Sequence, residues 1–425
     1  MDFRHFRFVM VILIVVLTIG VGCVTAAGVG RGLPQEVRLD PDTSSNETEY
    51  GRSVAIDGNL VAVGMGGDGA IGSVYVYQRM GSSYVLDEKL VFPEEVPCAC
   101  LEAEDPDNAF GKCPEFGRTV AIQGNTIFVG ARFAPVGDIS AGAVYVFRNY
   151  EDSWQYNGEK IISPDPVGGD NFGRALAIQG DLLVVTARKN DAEKGAAYAF
   201  KNTSDGWINT ATLVASDSVD GDYFGQSIAL KGETLVIGAR NAGPDGAGAL
   251  YLYRKSGNDW IEVTKVTPED GEPDEQYGFC IAVTGNTIAV GARRDNLTAT
   301  KAGAVYVYTL NGNSVELVTI LTAGDAKKGD EFGQSVAFAG DILAIGAWKD
   351  DEGKGSIYLF RQIDSQWVQI DKIQASDGKP GAGKIPGDEF GYSLAALGNR
   401  LVTGAHKADF VYKDAGAAYV IPVRL

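Results

Sequence analysis

The chain has 425 residues, 45% of them apolar, with 55 glycines and a formal net charge of −18. A glycine content so far above the usual ~7% signals many tight turns. The acidic balance argues against nucleic acid as a partner, because phosphate backbones need a basic surface, and it favours solubility and cationic or cation-bridged partners.

In chain order, Met1–Gly22 reads as a targeting segment. Arg4 and Arg7 precede an unbroken apolar run of 15 residues, Phe8–Gly22, and Val24-Thr25-Ala26-Ala27 offers small residues for cleavage. A membrane span needs ~20 apolar residues. Residues 1–27 are therefore expected to be a secretory signal peptide, with an uncleaved N-terminal anchor as the alternative. Residues 28–49 follow, and Glu36–Asp40 within them reads as a lone strand.

From Tyr50 onwards one pattern is written seven times. Each unit opens on an aromatic-glycine pair: Tyr50-Gly51, Phe116-Gly117, Phe172-Gly173, Phe224-Gly225, Tyr277-Gly278, Phe332-Gly333 and Phe390-Gly391. Thirteen residues after each of these glycines stands Gly64, Gly130, Thr186, Gly238, Gly291, Gly346 or Gly404. A glycine and a small residue then recur, at Gly72-Ser73, Gly142-Ala143, Gly195-Ala196, Gly248-Ala249, Gly303-Ala304, Gly355-Ser356 and Gly416-Ala417. A fixed internal spacing across units 52 to 66 residues apart is the signature of a repeat architecture.

Each unit reads as strands. In the fourth these are Gln226–Leu230, Thr234–Ala239 and Ala249–Tyr253. The turn glycines Gly58, Gly124, Gly180, Gly232, Gly285, Gly340 and Gly398 suit a tight hairpin that demands positive φ. Continuous apolar runs such as Leu235-Val236-Ile237 fit a strand buried on both faces, and Val305-Tyr306-Val307-Tyr308 has high strand propensity. A fourth strand follows Tyr84, Trp154, Trp207, Trp260 or Trp367. The last unit stops after its third strand, and Glu36–Asp40 is a fourth strand without a unit. The expected architecture is thus all-β: a seven-bladed β-propeller of four-stranded antiparallel blades, the last blade completed by the N-terminal strand, which removes an open edge.

These residues resemble the FG-GAP repeat, the unit of the integrin α-chain N-terminal propeller and of many secreted proteins. The resemblance covers residues 50–425, with the closing strand before them. It implies an extracellular setting and a role in adhesion or recognition. Integrin blades carry calcium loops in the first hairpin, whereas here that hairpin is only two or three residues long, so sites of that kind are expected to be absent. The leg domains of an integrin α-chain have no counterpart.

In a propeller of this strand order, the second-to-third and fourth-to-first connections share one face. They are the long, varied ones, and binding usually lives on such loops. The residue at one repeated position there is Met65, Arg132, Arg188, Arg240, Arg293, Trp348 and His406 in turn. Arg132, Arg188, Arg240, Arg293, Trp348 and His406 are candidates for binding an anionic or sugar ligand at the mouth of the channel. The structural alternative, and the better supported, is that each arginine pairs with an acid of an adjacent loop, such as Asp170, Asp222 or Asp330. Asp217, Asp220 and Asp222 are weak calcium candidates against a plain solvated turn.

Cys98, Cys100 and Cys113 fall in the longest insertion. A disulfide from Cys113 to Cys98 or Cys100 is expected in an exported protein, with a zinc site as the lesser alternative. Cys280 stands where other units have serine, threonine or alanine, and reads as a buried small residue. Sequons at Asn46, Asn202 and Asn296 fall in expected loops. With one histidine left after signal removal, and no nucleophile elbow or phosphate loop, catalysis has little support. The expectation is a monomeric, non-catalytic, extracellular or cell-surface propeller without cofactor, binding a protein through the long-loop face. The alternatives are a carbohydrate-binding propeller, with Trp348 and a neighbouring carboxylate as its mark, and a glycan-active enzyme with paired carboxylates.

Overall fold

The computed structural model describes residues 36–41, 49–66, 71–95, 113–257, 259–269, 271–382, 386–409 and 415–424. The expected signal peptide, Asn46, Cys98 and Cys100 lie outside them. Seven four-stranded antiparallel sheets form the seven blades of a β-propeller. The innermost strands are Ser53–Asp57, Phe116–Gln123, Phe172–Gln179, Phe224–Lys231, Tyr277–Thr284, Phe332–Ala339 and Phe390–Leu397, in blades 1 to 7.

Burial follows the chemistry of the strands. The second strands of blades 2, 3, 4 and 6, such as Thr234–Ala239, are buried at every residue. Third strands are buried where they cross the blade and emerge at their ends, as in Ala249–Ser256. Outer strands such as Ser83–Val91 are largely exposed, with more and less buried residues alternating over their first half. The expected strand bounds were short at the ends: the inner strand of blade 4 begins at Phe224, and its third strand runs on to Ser256. Pairing across a hairpin continues into less apolar residues, which the hydrophobic pattern does not mark.

Packing is organised between blades. Seven hydrophobic clusters each join two neighbours; one unites Val184 and Ala199 of blade 3 with Leu235, Ile237 and Tyr251 of blade 4. The aromatic residue of each aromatic-glycine pair is fully buried. It meets the third-strand tyrosine of its own blade, edge-on in all but blade 3, as Phe224 does with Tyr251 at 5.4 Å between ring centroids. Such contacts add about 0.5–1.5 kcal/mol beyond burial.

Two hydrogen bonds cross each junction. The backbone N–H of the aromatic residue donates to the preceding blade; Phe224 reaches the Lys194 carbonyl at 2.8 Å and Tyr277 the Ala247 carbonyl at 2.9 Å. The carbonyl of the glycine after it accepts a side-chain donor from the same preceding blade. Ser53 donates to Gly117, Ser227 to Gly278 and Ser393 to Gly51, each at 2.8 Å. Thr119 donates to Gly173 and Ser335 to Gly391, both at 2.7 Å. Cys280 makes the same bond with its thiol, 3.0 Å from the Gly333 oxygen, and burial pushes that thiol up to about 12. Expected as a buried small residue, it is half-buried and donates across the joint.

Blade 3 solves the problem differently. Its inner strand has Ala175, with no donor, and Thr186 in place of the repeated glycine supplies the hydroxyl, 2.8 Å from the Gly225 oxygen. Elsewhere a Cβ at that glycine is impossible: at Gly238 it would lie 2.1 Å from the Gly278 oxygen and 2.5 Å from Ser227 Oγ. Removing the serine hydroxyl in blade 3 makes room for the threonine that replaces its function.

The ring closes as expected. Val37–Leu39 pairs antiparallel with the third strand of blade 7, with Arg38 opposite Tyr419. Arg38 pairs with Asp40 at 2.7 Å and with Asp377, tying the N-terminal strand to the end of blade 6. Leu39, Val402 and Val420 then pack against Val61, Val63 and Tyr75 of blade 1.

Gly238→Ala is expected to cost more than about 2 kcal/mol in denaturant unfolding, by forcing two blades apart. Gly168→Ala, whose new methyl meets nothing nearer than 3.8 Å, should be neutral. Equal stability of the two variants would contradict this packing.

Candidate functional site

Three residues of each blade are brought to the channel mouth on the long-loop face. In blades 2 to 7 the inner strand slips register just after its aromatic residue, between Phe224 and Ser227 in blade 4 for example. Such a bulge re-aims a side chain. The residue after the glycine, Arg52, Arg118, Arg174, Gln226, Phe279, Gln334 or Tyr392, then joins the repeated position at the end of the second strand. A third set precedes each aromatic residue: Glu49, Glu115, Asn171, Tyr223, Gln276, Glu331 and Glu389. All seven are left-handed, with φ between 51° and 61°. A non-glycine residue pays about 1–2 kcal/mol for that conformation. Seven instances point to a required geometry, one that turns a long polar side chain towards the mouth.

Around most of the ring this third set satisfies the repeated position. Arg132 and Glu115 form an ion pair, 3% and 0% exposed. Arg293 donates to Gln276 Oε1 and Gln334 Oε1, both at 2.8 Å. Trp348 donates its indole N–H to Glu331 at 3.0 Å, and Lys349 reaches the same carboxylate at 2.7 Å. The ring of Trp348 is covered by the Lys349 ammonium, 4.4 Å from its centre, and meets the Tyr392 ring at 5.4 Å. His406 packs against Tyr392 with ring centres 3.9 Å apart, and its Nε2 lies 3.1 Å from Glu389.

The acids expected to pair with the arginines do something else. Asp170, Asp222 and Asp330 accept the N–H of Val167, Val219 and Lys327 at 2.9, 2.8 and 2.7 Å, closing the turns before blades 3, 4 and 6. The partners are instead the left-handed residues beside them. One signal was legible: the residue before every aromatic-glycine pair is polar and none is glycine.

One arc lacks this compensation. In blades 3 and 4 the left-handed residues are Asn171 and Tyr223, neither a carboxylate. Arg188 and Arg240 lie 5.5 and 4.6 Å from the centre of the Tyr223 ring. Arg188 donates to Gln226 at 3.0 Å. The Nε of Arg174, Arg188 and Arg240 is buried and has no hydrogen-bond partner among the described residues. Arg174 belongs to the set of inner-strand residues that the sequence pattern alone did not single out.

The calcium candidates are not brought together. Asp217 binds Tyr251 and Lys265, at 2.8 and 2.6 Å, Asp222 closes its turn, and Asp220 faces Lys194 at 3.8 Å. Among the described residues no group of three or more acids, histidines and cysteines could hold a metal. The expected disulfide lies outside the described residues except for Cys113, which is buried. Asn296 sits in a loop, but Asn202 does not: it pairs with Trp207 inside the hairpin of Ala196–Thr203, because that strand runs three residues past its apolar core.

The family model described as FG-GAP repeat matches residues 34–77, 112–147, 157–200, 207–253, 260–308, 316–360 and 367–421. No curated protein matches. The fold is similar to that of Sqt1 from Saccharomyces cerevisiae, at 11% identity and a TM-score of 0.52, over 92% of this chain and 98% of that one. It is also similar to a chain of a mitotic checkpoint complex, at 13% identity and a TM-score of 0.56, over 96% and 99%. At these identities the likeness concerns the fold alone.

Glu389 and His406 give the molecule a pH signature. Burial pushes the Glu389 carboxyl up from 4.5 to about 8, so between those values the native state holds the extra proton and stability falls as pH rises. Burial and nearby Arg52 and Lys407 hold His406 well below 6.5, so below that value the unfolded state holds the extra proton and stability falls as pH drops. The two slopes oppose each other below about pH 6.5, and the Glu389 slope alone then removes on the order of 2 kcal/mol by pH 8. Glu389→Gln should remove this decline in denaturant unfolding; an unchanged slope would contradict the assignment.

Proposed function

This chain belongs to the FG-GAP repeat family, and from that premise we propose a non-catalytic propeller that binds a protein partner through its long-loop face, outside the cell or at its surface. The observation that carries the reading is apolar. Val167, Val219 and Leu297 are 59%, 61% and 56% exposed on loops of that face, before blades 3 and 4 and within blade 5. Asp170 and Asp222 bind the two valine N–H groups, and Asp295 binds that of Leu297 at 2.7 Å. Apolar side chains held out on such pinned turns lose little entropy when a partner covers them.

The extracellular setting is supported by the family, whose repeats are typical of such proteins, and by the expectation that residues 1–27 are a signal peptide or N-terminal anchor. No helix among the described residues is long and apolar enough to cross a membrane. The carbohydrate reading is less well supported. Trp348 does have a neighbouring carboxylate, but Lys349 covers its ring where a sugar would stack. Catalysis is disfavoured because His406 is buried and held neutral.

A screen of the purified protein against arrays of extracellular proteins and of glycans is expected to return protein hits only. The Val219→Asp, Leu297→Asp double variant should lose those hits with stability unchanged within about 0.5 kcal/mol, as expected for surface sites. Val85→Asp, on an outer strand, should keep them. Hits that survive the double variant, or hits on glycans alone, would overturn the reading.

A further inference from the structure

The acidic protein holds a concentration of positive charge where blades 3 and 4 meet the channel. Arg174 comes from the inner strand of blade 3, Arg188 from the end of its second strand, and Arg240 from the same position in blade 4. The Nε of each is buried with no partner among the described residues. A buried guanidinium donor left unmet is costly. The groups also repel one another: Arg188 acts on Arg174 and Arg240 acts on Arg188, with Arg118 and Arg132 adding to both. Burial and this repulsion push Arg188 down to about 9 and Arg174 well below its ordinary value.

The nearby carboxylates are committed elsewhere. Glu115 is bound to Arg132. Glu193, beside Arg240, accepts from Tyr223 Oη at 2.5 Å and from Lys189 at 2.7 Å. The rest of the ring shows what the fold does when neutralisation is wanted: at the equivalent left-handed positions Glu49 pairs with Arg52 and Lys407 in blade 1, Glu115 with Arg132 in blade 2 and Glu331 with Lys349 in blade 6. In blades 3 and 4 those positions hold Asn171 and Tyr223, so the charge is left for something else.

We propose that Arg174, Arg188 and Arg240 form a binding site for a multivalent tetrahedral oxyanion of the phosphate or sulfate class, at the channel mouth between blades 3 and 4. A planar carboxylate offers two oxygens and is matched by a single guanidinium fork. Three guanidinium groups of separate origin need three or four acceptors spread in space, which a tetrahedral oxyanion provides. Gln226 fixes Arg188 through its 3.0 Å hydrogen bond, and the Tyr223 ring lies beside both Arg188 and Arg240. The forks are thereby preorganised. The site does not depend on the protein-binding reading.

The test is thermal unfolding and calorimetric titration of the purified protein with sodium pyrophosphate and with sodium sulfate, against sodium chloride at matched ionic strength. Both oxyanions should raise the melting temperature saturably. The Arg174→Gln, Arg188→Gln, Arg240→Gln triple variant should melt higher than the native protein in chloride, because the repulsion is gone, and bind pyrophosphate at least tenfold more weakly. A native protein that responds equally to chloride, or a triple variant that keeps the full response, would overturn the proposal. A protein partner carrying the anionic group would be displaced by saturating pyrophosphate, whereas a free anion would leave its capture intact; either result leaves the site standing and identifies the source.

Discussion

Everything in this molecule depends on how closely one blade can approach the next. At each junction a glycine carbonyl accepts a hydroxyl or thiol from the neighbouring blade, and an aromatic N–H donates back to that neighbour's loop. The side-chain bonds are buried or half-buried, so leaving one unmade costs more than making it gains. They require contact with no Cβ between the chains. A methyl on Gly72 would lie 1.9 Å from the Phe116 oxygen, and on Gly404 1.8 Å from the Gly51 oxygen. The three landmarks of the repeat are thus the parts of one joint: aromatic-glycine, the glycine thirteen residues on, and the glycine before the third strand.

That is why the fold could be read from the residues. Glycines required by a steric limit recur at fixed spacing, and a ring of seven equivalent joints leaves one sheet short of a strand, which Val37–Leu39 supplies. The exception at Thr186 was visible as a break in the pattern. Its meaning was not, because the compensating change, Ala175, lies eleven residues away on the facing strand and matters only once the two are paired. Strand ends were missed for a simpler reason: backbone pairing outlasts the apolar pattern, as at Ser256 and Asn202.

The channel mouth was only partly legible. The repeated position holding Arg132, Arg188, Arg240, Arg293, Trp348 and His406 is one group at the mouth, but spacing could not reveal which side chains answer it. The left-handed turn before each aromatic residue decides that, by bringing Glu115, Gln276, Glu331 and Glu389 to the repeated position, whereas Asn171 turns its amide back to the Gly169 carbonyl. The result divides the mouth. Arg132, Arg293 and Trp348 are held by the fold itself, and His406 packs on Tyr392 with Nε2 towards Glu389 while its Nδ1 finds no partner among the described residues. Arg188 and Arg240, joined by Arg174, keep donors that the described residues leave unmet. The same stretch of the ring carries Val167 and Val219 on their pinned turns, so the exposed apolar residues and the uncompensated charge fall side by side.

The central claim is that a donor to each glycine carbonyl holds neighbouring blades together, whichever strand supplies it. Blade 3 allows a direct test through a double-mutant cycle in denaturant unfolding. Thr186→Gly removes the hydroxyl from the Gly225 carbonyl and should destabilise by about 1–3 kcal/mol. Ala175→Ser alone should also destabilise, because its hydroxyl meets the threonine. Together the two changes rebuild the joint of the other blades, and stability should return close to that of the native chain, with a coupling of at least about 1 kcal/mol. Costs that merely add would mean that the joint is not what holds the ring.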